Sequence, residues 1–272
     1  MTSWISSRSA SRLSVVPFAF FLVLAVPPTG WSTPPKTPAS AIGEGSKIPI
    51  GTFLPVSLEP ALSSKGLRKG ESIQGRLMQD VSLLGGDTIP AGSKVHGTVV
   101  DVVSAENGAA SITLRFTSLE SKRSSIPIVV ALRAMAPYQS VQSARTPYQE
   151  GTNGGSAGWA TTLQIGGDVR YGDGGKVTNN HRHTVGQATR DAGVLARPDD
   201  PPGSPCEGWP DQSPGPQAFW VFSADACGLY DLKGMRLGRA GNKEPFGDIT
   251  LTKDDGEIKI MKSSALLLRV VH

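Results

Sequence analysis

Only two cysteines, Cys206 and Cys227, and only four histidines occur in this chain of 272 residues. So few soft ligands leave no Cys/His set with zinc-binding spacing. Lysines and arginines are scattered, with Lys122-Arg123 and the stretch from Lys65 to Lys69 the densest groups. Nucleic-acid binding needs basic residues clustered on one face, so no nucleic-acid partner is expected. The formal net charge is +4, and about +2 without Arg8 and Arg12. Aromatic residues make up 6% of the chain, and Trp159, Trp209 and Trp220 are too far apart to predict a sugar-stacking platform. No apolar run reaches the roughly 20 residues of a membrane helix.

The nearest approach to such a run is Val15 to Val26, which follows a start carrying Arg8 and Arg12 and no acidic residue. A short apolar segment behind a positive one predicts a signal peptide over residues 1–32. Pro17 and Pro27-Pro28 argue against a stable helix there. Small residues suited to cleavage follow at Gly30-Trp-Ser32 and at Ala39-Ser-Ala41. The expected product is exported, to the periplasm, the cell envelope or the exterior, with no membrane span in the mature chain. Residues 33–46 have no periodicity and read as a disordered lead-in. In an exported chain, two and only two cysteines predict one disulfide, Cys206 to Cys227. Closing a loop of about twenty residues stabilises by roughly 3 kcal/mol on chain-entropy reasoning.

Glycine and proline are plentiful, together about a fifth of the chain, which favours many turns over helices. Two segments share one design: Ile48-Pro-Ile-Gly51 leads into Thr52–Leu58, and Ile89-Pro-Ala-Gly92 leads into Val95–Val103. Between and after them apolar residues alternate. Ile73, Gly75 and Leu77 share one face, and Ile112, Leu114 and Phe116 share another. Asn107-Gly108 predicts a hairpin turn. Pro55 suggests an edge position or a strand end. The reading is a β-meander over residues 47–136, with no helical periodicity.

Residues 137–217 are rich in Gly, Ser, Pro, Asn and Asp and predict a flexible insertion, with one short β element at 159–171. Apolar strands return over 218–272: Phe219–Phe222, a hairpin turning at Lys253-Asp-Asp-Gly256, and a closing strand over Ala265–Val271. That last strand is too apolar to be left exposed and should pair with the front of the meander. The fold class expected is all-β: a single antiparallel β-barrel or sandwich, interrupted by a long Gly/Ser/Pro-rich insertion.

The blocks Ile48-Pro-x-Gly51, Leu54-Pro55, Leu58-x-x-Ala61-Leu-x-Ser64, Gln74-Gly-Arg-Leu77, Asp80-Val81, Ile89-Pro-x-Gly-Ser93 and Gly97 resemble the start of the periplasmic β-barrel domain of TrbI-type conjugal-transfer and type IV secretion proteins. The resemblance covers residues 48–103. It implies a barrel and an envelope location, with envelope or secretion-complex proteins as partners. The family's cytoplasmic segment, membrane helix and Pro-rich arm have no counterpart before residue 47, and no functional residue carries over.

Candidate chemistry is sparse. Cys227-Gly is similar to the nucleophile context of exported cysteine peptidases, which need a histidine in reach. The only histidine after it is the last residue, His272. His181-Arg-His183 could set two imidazoles on one face of a strand, near Asp168 or Asp173. No third ligand has a fixed spacing, so no metal site is expected. The Gly166-Gly-Asp and Gly172-Asp-Gly-Gly stretches lack the Lys-Ser/Thr of a phosphate loop. No catalytic residue and no cofactor is expected. The function expected is a non-enzymatic envelope protein with a structural or assembly role. The alternatives are a secreted binding module that uses residues 137–217, and a Cys-dependent hydrolase.

Overall fold

The computed structural model describes residues 47–83, 87–121, 124–144, 160–189, 193–210, 212 and 214–272. The signal peptide expected at 1–32 and the lead-in at 33–46 lie outside the described residues, as does Trp159. The front of the chain forms β1 (Phe53–Leu58), β2 (Leu62–Ser63), β3 (Ser72–Leu77), β4 (Val81–Ser82), β5 (Thr88–Ile89), β6 (Lys94–Val103), β7 (Ala110–Ser121), β8 (Ser124–Pro127) and β9 (Val130–Ala136). A short helix α1 (Tyr138–Ser143) follows. Then come β10 (Ala160–Gln164), β11 (Gly167–Tyr171), β12 (Lys176–Thr178), β13 (Thr184–Thr189), β14 (Gly193–Ala196) and β15 (Gln217–Ala218). The chain ends with β16 (Gly228–Leu229), β17 (Met235–Arg239), β18 (Ile249–Lys253), β19 (Lys259–Ile260) and β20 (Ala265–Val270).

The fold is all-β. Its main sheet runs β16-β9-β20-β1-β3-β6-β7-β18-β17, with β8 beside β7, and curls into a nearly closed barrel. The closing strand pairs with the first one in antiparallel register, from Phe53 opposite Arg269 to Ser57 opposite Ala265. The far end is drawn in where Leu132 of β9 donates its N–H to the carbonyl of Ala240, just past β17, at 2.7 Å. Alternation fills the interior: Leu54, Val56 and Leu58 of β1 join Ile112, Leu114 and Phe116 of β7 and Leu266, Leu268 and Val270 of β20 in one core.

Three strands are buried on both faces. Every residue of β9 and β20 is buried. Phe53, Ala134, Ala136, Ala265 and Leu267 belong to a second apolar cluster outside the barrel. What covers them is a six-stranded half-barrel sheet, an antiparallel meander in the order β10-β11-β12-β13-β14-β15. It supplies Ile165, Val169, Val177, Val185 and Ala196 to that cluster. The sequence reading placed one short β element at 159–171 and left the rest of 137–217 without structure. Instead β12, β13 and β14 carry the sheet on to Ala196, and Val177, Val185 and Ala196 are buried.

Three local expectations need correction. Pro55 lies in an interior strand between β20 and β3, not at an edge. Its missing donor does little harm, because Pro55 faces Met78, just past the end of β3, whose N–H it still accepts at 2.9 Å. Phe219–Phe222 is a turn, not a strand: Trp220 has φ 57° and Phe222 donates its N–H to Phe219 O at 3.0 Å. Lys253-Asp-Asp-Gly256 does turn the chain, but it makes no hairpin. Both edges of β18 are already taken, by β7 and β17. The chain therefore crosses to the barrel end, where β19 pairs with β2 and buries Ile258 and Ile260.

Candidate functional site

The half-barrel is fastened to the barrel at one point of high polarity. Arg133, in the apolar run of β9, has a side chain with no solvent exposure. A buried guanidinium must be matched by acceptors. Arg133 Nη1 donates to Asp200 Oδ1 at 2.6 Å, Nε to Ala226 O at 2.9 Å and Nη2 to Ala224 O at 3.0 Å. These acceptors lie on the two segments that lead out of the half-barrel, 197–200 and 223–227. Arg133 and Arg269 stand over the Phe53 ring at 5.8 and 5.5 Å, and Phe219 packs on the same ring at 4.6 Å. Arg269 also stands over Trp209 at 5.8 Å and donates to Pro210 O at 2.6 Å.

Cys206 and Cys227 form a disulfide, with Cα atoms 6.0 Å apart and 21 positions between them in sequence number. Cys206 and Trp209 pack with Ala131 of β9, and Cys227 lies against them. The bond thus clips the 201–210 turn region onto the barrel wall. The stretch around that region was expected to be mobile, yet just before it the Asp199 N–H bonds to Ala224 O at 3.0 Å. A sulfur held in a disulfide offers no thiolate, so a Cys227 nucleophile would first require reduction. His272 stacks on Phe246, ring centroids 6.0 Å apart. Tyr230 Oη accepts the Cys227 N–H at 2.8 Å, and burial raises its phenol pKa above the ordinary value.

His181 and His183 do not converge on one centre. His183 Nδ1 lies 3.0 Å from Asp199 Oδ2, while His181 Nδ1 lies 3.7 Å from Asp225 Oδ2. Both backbone N–H groups bond to Oδ1 of Asn179, which is buried and also donates to Asp199. Asp168 is elsewhere, its N–H bonded to Asn180 Oδ1 at 3.1 Å. Among the described residues no group of three or more potential ligands could hold a metal ion. This cluster ties the 179–183 turn to the 197–200 segment.

Two clefts flank the fastening. The first, about 290 Å³, is lined by Trp209, Arg269, Ile50, Val271 and Phe246, together with Gln212 and Asn242. Ile50 and Phe246 are exposed apolar residues, while Trp209 is buried and its indole Nε1–H has no partner among the described residues. The second, about 460 Å³, lies between α1 and the end of β10. Leu163, Ile165, Ala144 and Tyr230 give it apolar walls, and Asp231 stands at its rim, accepting the Ser140 hydroxyl at 2.6 Å.

Of these residues the sequence reading singled out the cysteines, Trp209, His181, His183, Asp168 and His272. It missed Arg133 and Arg269, although each is a lone charge inside an apolar run, a pattern that signals a buried and therefore partnered cation. Phe246 and Asn242 carried no signal, because they meet the cleft only through the loop after β17. No protein-family model matches this chain, and a search of curated proteins finds no relative.

Proposed function

We propose that this is a non-enzymatic protein exported to a bacterial cell envelope, where it has a structural or assembly role and holds a partner in the cleft beside Trp209. The observation that carries the reading is the Trp209 indole: a buried donor without an acceptor among the described residues, beside a cleft whose wall is clipped in place by a disulfide. Buried polar groups are almost always satisfied, and a rigid, largely apolar cleft with few polar groups is the usual form of a binding site. The disulfide suits an oxidising compartment. The signal-peptide pattern of residues 1–32 and the TrbI-type blocks point the same way. Those blocks occupy the turn before β1, the strand β3 and the turn before β6. The secreted binding module is the second reading. It uses the same cleft, since Trp209 and Gln212 belong to residues 137–217, and it differs in where the protein resides.

The test is a photo-reactive amino acid at position 246, with the protein expressed in its own cells and irradiated there. The expected result is an adduct with an envelope component, lost in Trp209→Ala. Adducts found only in the culture medium favour the secreted module. Adducts confined to cytosolic proteins overturn both readings.

A further inference from the structure

Among the described residues the half-barrel has an open edge. Strand β10 pairs with β11 on one side only, from Ala160 opposite Tyr171 to Gln164 opposite Gly167. Just beyond β10, Ile165 turns its groups the other way: its N–H donates to Val221 O at 2.9 Å and its carbonyl accepts the Ser223 N–H at 2.9 Å, in a parallel bridge opposite Phe222. Strand geometry repeats every two residues. Leu163 and Thr161 therefore direct their N–H and C=O groups to the same outer side as Ile165. Among the described residues none bonds to the Leu163 backbone there. Edge strands of this kind are ordinarily blunted by proline, lysine, a bulge or a covering element. Ala-Thr-Thr-Leu-Gln carries no proline or lysine and pairs with β11 without a register shift.

The open edge lines the 460 Å³ cleft. Leu163 is 55% exposed and lines the cleft with buried Ile165, together with Ser140 and Ser143 of α1 and the adjacent Ala144. An edge strand facing a helix across an apolar groove is the arrangement that accepts an extended peptide as an added strand, backbone bonds giving affinity and alternate side chains giving specificity. The acceptors and donors of Thr161 and Leu163 match another strand and match nothing globular or lipidic. Among the described residues that line the groove, Asp231 is the one acidic or basic side chain, in a chain of net positive charge.

We infer that this groove docks an extended segment of another polypeptide, which adds to β10 as a strand, places an apolar side chain between Leu163 and α1, and sets a lysine or arginine against Asp231. The inference goes beyond the envelope reading and does not depend on it: a failed cross-link at position 246 leaves it standing, and its own failure leaves the Trp209 cleft untouched.

The experiment uses the full chain with its disulfide intact. A random peptide library displayed on phage is selected on it, and the strongest binder is synthesised as the working peptide. Backbone amide exchange is then read by NMR with and without that peptide. The expected result is fast exchange at Thr161 and Leu163 in the free monomer, slowed at least about tenfold on binding. Thr161→Pro and Leu163→Pro each delete one outward donor while leaving the β11 ladder intact. Each should weaken binding about tenfold, with an unchanged circular dichroism spectrum. Asp231→Asn should weaken only peptides that carry a basic residue, and only at low salt. The inference is overturned if the library yields no binder, or if the working peptide binds both proline variants as it binds the parent. It also fails if the two amides are already protected in the free monomer, covered by the chain itself, or become protected only as a second copy associates.

Discussion

Replacing Arg133 by alanine should cost about 3–5 kcal/mol of folding stability, the range for removing one partner of a buried, hydrogen-bonded ion pair. The magnitude follows from what is left behind. The carbonyls of Ala224 and Ala226 each lose a charged donor at about 3 Å, and a buried acceptor without a partner costs roughly 1–3 kcal/mol. Asp200 suffers less, because its side chain is 25% exposed and can take up water. The guanidinium also leaves the Phe53 ring, and the space it filled between the two sheets opens. Arg133→Met separates these contributions: it fills most of the volume and needs no acceptor, so it should cost less, about 1–3 kcal/mol. The assay is urea unfolding of the oxidised protein, followed by tryptophan fluorescence and far-UV circular dichroism together, at constant slope of free energy against denaturant. A loss under about 1 kcal/mol in Arg133→Ala would refute the reasoning, as would a methionine variant weaker than the alanine one. Either result would mean that the half-barrel is held by its apolar contacts alone.

Reduction of the disulfide under native conditions should lower stability by about 3 kcal/mol, measured by the urea midpoint with and without a thiol reductant. Phe53→Ala should cost about 3–5 kcal/mol, since the ring is fully buried between two guanidinium groups and Phe219. Gly97→Ala should destabilise by more than about 1 kcal/mol, because the added methyl would stand 2.5 Å from Arg115 O and 3.0 Å from Phe116 Cα in the facing strand. Three half-buried carboxyls are held below their usual range, Glu59 chiefly by a hydrogen bond from Arg76, Glu120 by one from His96 and Glu257 by one from Ser63. A depressed folded-state pKa adds stability that is present above the unfolded value near 4.5 and fades as pH falls through the folded values. The urea midpoint should therefore hold steady from about pH 7 to 5 and drop below that, and the drop should be shallower in Glu120→Gln.

The barrel was legible because its strands alternate in a manner that survives in the sequence. Ile112, Leu114 and Phe116 on β7, and Ile73 and Leu77 on β3, lie on the core side as their spacing requires. The closing strand was legible for another reason: Ala265–Val270 is apolar at nearly every position, and only a strand covered on both faces can be so. The half-barrel was not legible. Its middle strands are only three to six residues long, too short for a two-residue alternation to stand out from the Gly- and Thr-rich sequence around them. Its stability comes from what it covers, Phe53 and Leu267 on the barrel wall, and those residues sit far away in sequence. Deleting it would expose that wall and orphan Arg133, so the two sheets make one folding unit. Phe219-Trp-Val-Phe222 misled because its apolar run has the composition of a strand, while the backbone turns at Trp220. The cysteines announced their bond by number alone. The clefts beside them depend on Ile50 and Phe246 lining one, and Leu163 and Tyr230 the other, across long sequence separations, which pattern reading does not reach.

The claim on which the rest depends is that the Cys206–Cys227 bond fixes the turn region of the second sheet to the barrel in an oxidising compartment. The direct measurement is to trap thiols with an alkylating reagent in acid-quenched cells, then unfold the protein without reductant and map it by mass spectrometry. The account predicts no alkylated cysteine and a single cross-linked peptide pair joining residues 206 and 227. Alkylation of both cysteines in protein taken directly from its cells would contradict it.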